Sequence, residues 1–119
     1  MLDPYRAHWA RAPFIIVLAI SLVILFTPAS GVPTAPPGTD KVVHLLLFAL
    51  LAVTGGVGRL PLGGLSVGLL CYAATSEALQ AILPLNRSGD VLDATVDALG
   101  AAAGLLVVFL LPSRRRIRR

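Results

Sequence analysis

Four apolar stretches of roughly 20 residues, separated by proline, glycine and charge, leave this chain few ways to fold. A helix of about that length crosses a hydrocarbon core of about 30 Å, because within lipid each backbone N–H and C=O must find its partner inside the segment. The 119 residues are 56% hydrophobic and only 13% charged, with a mean hydropathy of +0.85, which lies outside the range of an ordinary soluble domain. Four crossings consume nearly the whole chain and leave no room for a second domain. The expected fold is an all-α membrane protein: four transmembrane helices in a small bundle, one domain over 1–119, with a basic tail over 112–119.

The first segment spans about 9–27, with Trp9 and Arg11 as interfacial anchors. A proline-rich connector, Pro28 to Gly38, cannot hold a helix. The second segment, about 40–58, ends among Gly55, Gly56 and Gly58, and a tight turn at Arg59-Leu60-Pro61 leads into the third, about 62–83. After a turn over Pro84 to Gly89, the fourth runs over about 90–111 and stops at Pro112. A rival reading makes the first segment a cleaved signal peptide, with small residues around Ala29 to Gly31 as the cleavage region. Cys71, alone inside an apolar segment, reads as a small buried hydrophobe.

Basic residues set the expected orientation. Four crossings put Arg6, Arg11, Arg59 and the five arginines after Pro112 on one side, eight of ten, and leave Lys41 and Arg87 on the other. The positive-inside rule then places both termini in the cytoplasm. The arginine-rich tail reads as an anchor on anionic lipid and not as a nucleic-acid contact, since no basic domain or interleaved aromatics accompany it.

Against this frame, five of the six acidic residues gather at segment ends on the outer side: Asp40, Glu77, Asp90, Asp93 and Asp97. An ionised residue at a helix centre in lipid costs roughly 2.5 to 3.5 kcal/mol, so the gathering asks for a functional explanation. Residues three, four and seven apart share a helix face, which pairs Asp40 with His44, Glu77 with Gln80, and aligns Asp90, Asp93 and Asp97 with Gly100 and Gly104. At about 1.5 Å per residue, Glu77 and Asp97 lie roughly 9 Å inside their helix ends and His44 about 6 Å from Asp40. Three helices thus bring polar groups to similar depth. Bland readings stand beside this one: Asp40 and Asp90 as helix caps, Lys41 snorkelling to the surface, and the buried charges as an ion-paired lock between helices. The Gly100-x-x-x-Gly104 pair is a close-packing motif on any reading.

These residues resemble the VanZ-like family of bacterial membrane proteins. The resemblance lies in Asp40-Lys41-x-x-His44 opening one helix, Glu77-x-x-Gln80 closing the next, then Pro84, Arg87, Asp93, residue 97, Gly100 and Gly104, and it covers Asp40 to Gly104. The family usually carries Asn where this chain has Asp97. The resemblance implies a multi-pass protein of the bacterial cytoplasmic (inner) membrane with a role in the cell envelope. The family's name derives from a protein associated with resistance to the glycopeptide teicoplanin, which does not assign a mechanism.

Charge narrows what such a site holds. Five carboxylates against Lys41 and Arg87 leave three negative charges if His44 is neutral, so either some carboxyls are protonated or a cation, such as a divalent metal on these oxygens with His44, completes the site. Thr75 and Ser76 flank Glu77 without a nucleophile-elbow motif, which leaves a serine hydrolase unsupported. Three functions remain. In the first, an outward-facing pocket of Asp40, Lys41, His44, Glu77, Gln80, Arg87, Asp93 and Asp97 binds an amphiphile, a membrane lipid, lipid-linked envelope intermediate or lipoglycopeptide, with Lys41 and Arg87 meeting phosphate or carboxylate. In the second, an intramembrane enzyme acts on a lipid headgroup with Glu77, Asp93 or Asp97 as acid and base and His44 as proton shuttle or metal ligand. In the third, the chain is a subunit of a small proton-coupled transporter, and would then need to form a homo-oligomer.

Overall fold

The computed structural model describes residues 4–31, 36–84 and 91–111. They form four α-helices, α1 (Pro4–Phe26), α2 (Thr39–Val57), α3 (Leu62–Ile82) and α4 (Val91–Leu110), with one short 3-10 turn at Ala29–Gly31. Each α-helix is long and apolar enough to cross a membrane, the pattern of a multi-pass membrane protein. The body measures 48 × 25 × 24 Å, consistent with helices of about 28 to 34 Å plus their connections.

Burial is inverted relative to a soluble protein. Large apolar side chains such as Ile15, Val23, Leu46, Leu50, Val67 and Leu106 face outward, while Ser21, His44, Ser76, Glu77, Gln80, Asp93 and Asp97 are buried. Lipid is as apolar as leucine, so helices gain little from hiding hydrophobes and associate through close packing and polar contacts.

Glycine contacts fix the register. A Cβ at Gly100 would collide with the carbonyl oxygen of Leu45, one at Gly104 with that of Ala49, and one at Gly56 with Val108. Residue numbers rise together along both partners, so α2 and α4 run parallel. Gly58 lies against Ala10 and Arg11, and Gly55 against Phe14 and Leu65, which makes α1 and α3 antiparallel to α2. The chain therefore reverses direction three times, and the starts of α2 and α4 share one end with the finish of α1 and α3.

Several boundaries differ from the sequence reading. Helix α1 begins at Pro4 instead of near Trp9, because proline at the first helical position gives up no intrahelical N–H bond. It also continues through Pro13. Helix α2 runs through Gly55 and Gly56 to Val57 and closes with Arg59 N–H donating to Gly56 O (3.1 Å) and Leu60 N–H to Gly55 O (3.0 Å). That is a Schellman closure, with Arg59 in the left-handed position at φ 64 where glycine is usual. Asp40 does not cap α2 through its side chain. Gly38, at φ 87, occupies the cap, and Asp40 sits in the first turn.

Helix α1 is held to α3 by two polar ties. Gln80 Nε2 donates to Leu25 O (2.6 Å), a carbonyl in the last turn of α1. Ser21 Oγ donates to Leu18 O (2.7 Å) and pairs with Tyr72 Oη (2.8 Å), whose ring packs on Phe48 with centroids 5.5 Å apart. Between these ties and the Arg59 turn, α1 and α3 diverge around an apolar groove of about 360 Å³ lined by Phe14, Leu18, Leu65 and Leu69 and bordered by Gly64 and Gly68.

Candidate functional site

At the end shared by the starts of α2 and α4, three helices turn polar faces toward one another. Helix α2 presents Lys41 and His44 above Phe48 and Leu51; α3 presents Ser76, Glu77 and Gln80; α4 presents Asp93 and Asp97 above Gly100 and Gly104. Lys41 Nζ donates to Asp93 Oδ1 (2.7 Å) and lies 3.9 Å from Asp40 Oδ2. One turn deeper, His44 Nδ1 and Asp97 Oδ1 are hydrogen-bonded at 2.8 Å, and Nδ1 lies 3.8 Å from Glu77 Oε1. His44, Glu77 and Asp97 each offer a nitrogen or carboxylate oxygen within 4.8 Å of the others.

The close backbone approach at Gly100 explains this meeting. With no Cβ there, α4 touches α2 at Leu45, and side chains one turn away on parallel helices reach hydrogen-bond distance. Side-chain exposure falls steadily inward, from 54% at Asp40 and 34% at Lys41 through 11% at Asp93 to 0% at Asp97. Asp97 Oδ2 is buried without a hydrogen-bond partner among the described residues. Asp40 and Asp93 sit in the first turns of α2 and α4, at the positive ends of the helix dipoles.

The described residues thus bring Lys41, His44, Glu77, Asp93 and Asp97 together, with Asp40 at the rim. Gln80 lies beside the cluster on α3, with its amide nitrogen tying α3 to α1. Lys41 does more than snorkel, being ion-paired to Asp93. Arg87 and Asp90 lie outside the described residues. Ser76 is fully buried and donates its hydroxyl to Ala73 O (3.1 Å), an arrangement unlike a poised nucleophile. Cys71 is exposed on the outer face of α3, contrary to the buried position expected of it. Small residues occur on every side of α3, so its apolar pattern could not reveal which face is covered.

The sequence signal for the tie between Ser21 and Tyr72 is a serine and a tyrosine at matched depth on apolar helices. The packing of Gly56 against Val108 has no such signal, since by sequence Gly56 is one of three glycines at a helix end. Compared with protein-family models, with curated proteins and with solved structures, the chain matches none.

Proposed function

We propose that the chain is a VanZ-like protein of the bacterial inner membrane, both termini cytoplasmic, that binds the polar part of an amphiphile at the outer leaflet. The observation that carries this reading is the inward gradient: a half-exposed Lys41 and rim Asp40 above a paired Asp93, and beneath them the buried His44, Glu77 and Asp97. A lock between helices needs paired charges but not a stepped approach from the surface. Lys41 is the group that meets phosphate or carboxylate, exchanging Asp93 for the ligand anion, and the two helix starts add positive potential there. A lipid-linked envelope intermediate or a lipoglycopeptide carries both an anion and an apolar tail, which suits a site opening into the leaflet.

The test is lipid retention. Purified protein exposed to a bacterial lipid extract should keep an anionic amphiphile through native mass spectrometry, and Lys41→Gln should weaken retention about tenfold or more, as befits loss of a charge-assisted hydrogen bond. In cells, Glu77→Gln should accumulate normally in the membrane yet lose the effect on lipoglycopeptide susceptibility. Equal retention by wild type and Lys41→Gln, with susceptibility unchanged by Glu77→Gln, would remove the proposal.

The contact of His44 with two carboxylates favours a second reading, an enzyme using acid/base chemistry on a lipid headgroup. Turnover of the retained lipid, abolished by Glu77→Gln, would select it over recognition alone.

A further inference from the structure

We propose that His44, Glu77 and Asp97 form a zinc site, one imidazole nitrogen and two carboxylates drawn from α2, α3 and α4. This assignment rests on reading the cluster as a binding site and gives that site its missing charge. Two observations carry it. The first is donor geometry: His44 Nδ1 lies 2.8 Å from Asp97 Oδ1 and 3.8 Å from Glu77 Oε1. These separations straddle the edge of about 3.4 Å expected between ligands of a tetrahedral ion with bonds of roughly 2.0 to 2.1 Å. The second is Asp97 itself, whose side chain is wholly buried while Oδ2 has no hydrogen-bond partner among the described residues. A wholly buried carboxylate with one oxygen unpartnered is costly, and a cation held at Asp97 offsets that cost for the group as a whole.

The donor set selects the metal. Calcium takes six to eight oxygens and magnesium an octahedron rich in water, neither of which three converging side chains with an imidazole among them supply. Imidazole with carboxylate suits zinc, and three protein ligands leave a coordination position open to an outside oxygen. A phosphate or carboxylate of the amphiphile is such an oxygen. Charge agrees: Glu77 and Asp97 with a neutral His44 carry two negative charges, which one divalent ion neutralises, while Lys41 is engaged with Asp93.

The experiment uses the full chain in a His8→Ala, Cys71→Ser background, which removes the other histidine and the exposed thiol as adventitious ligands. Metal-free protein is titrated with Zn²⁺, and separately with Co²⁺, whose visible absorption reports a tetrahedral field. One equivalent of zinc should bind, with an intense tetrahedral cobalt spectrum. Glu77→Gln and Asp97→Asn should each lower zinc affinity at least about tenfold, and Thr95→Val, on the exposed face of α4, should leave it unchanged. Far-UV circular dichroism checks that each variant is folded. Absence of stoichiometric zinc in the folded background protein overturns the proposal, and so does equal affinity in the folded triad variants. Should every triad variant fail to fold, the cobalt spectrum of the background protein decides alone, and a six-coordinate or absent spectrum overturns the proposal. Zinc binding without amphiphile retention would sink the recognition reading and leave the metal site standing. Lys41-dependent retention without zinc would do the reverse.

Discussion

Replacing Gly100 by alanine tests the packing that builds the site. A Cβ there meets Leu45 C and Cα at 3.1 Å and the Leu45 carbonyl oxygen more closely still. Ordinary contacts begin at about 3.4 Å, and these are backbone atoms that no rotamer change can withdraw, so α2 and α4 must separate by roughly 0.5 to 1 Å. Overpacking of this kind costs about 1 to 3 kcal/mol. The same separation stretches the His44–Asp97 and Lys41–Asp93 bonds, now 2.8 and 2.7 Å, toward the 3.5 Å beyond which such bonds fade. Gly64→Ala is the control. Nothing lies within 4 Å of its Cβ, and alanine favours helix over glycine by about 0.5 to 1 kcal/mol. Unfolding in a detergent–SDS titration followed by circular dichroism should therefore show Gly100→Ala destabilised and Gly64→Ala equal to or more stable than wild type. Equal midpoints for the two variants would refute the close α2–α4 approach and the site geometry that depends on it.

Three further outcomes are expected. In a Cys71→Ala background, a cysteine at Ser30 should react with an impermeant thiol reagent on spheroplasts and one at Ser113 should not; labelling of Ser113 would reverse the proposed orientation. Gln80→Leu removes the Nε2 bond to the Leu25 carbonyl and should cost about 1 to 2 kcal/mol in the same SDS titration, and an unchanged midpoint would show that this bond does not hold α1. Arg59→Gly relieves a left-handed residue at the α2 closure and should raise stability by up to about 1 kcal/mol, which a lowered midpoint would contradict.

The number of long apolar helices and the acidic stripe were legible without coordinates, because hydrophobic length and helical spacing are local properties. Asp93, Asp97, Gly100 and Gly104 share a face by arithmetic alone, and the alternation of four spans brings that face to the same end as His44 and Glu77. What spacing could not say is which partner each group takes. Gln80 has the spacing of a site residue, yet its amide nitrogen bonds the Leu25 carbonyl of α1 at its depth, a contact between helices that no spacing within α3 encodes. Cys71 faces outward although its neighbours are apolar throughout, since lipid and bundle interior demand the same side chains and periodicity loses its power to tell them apart. The pairing of His44 with Asp97 was decided by tertiary structure, where parallel helices approach to backbone contact at Gly100 and bring a histidine and an aspartate, 53 residues apart in sequence, within one hydrogen bond.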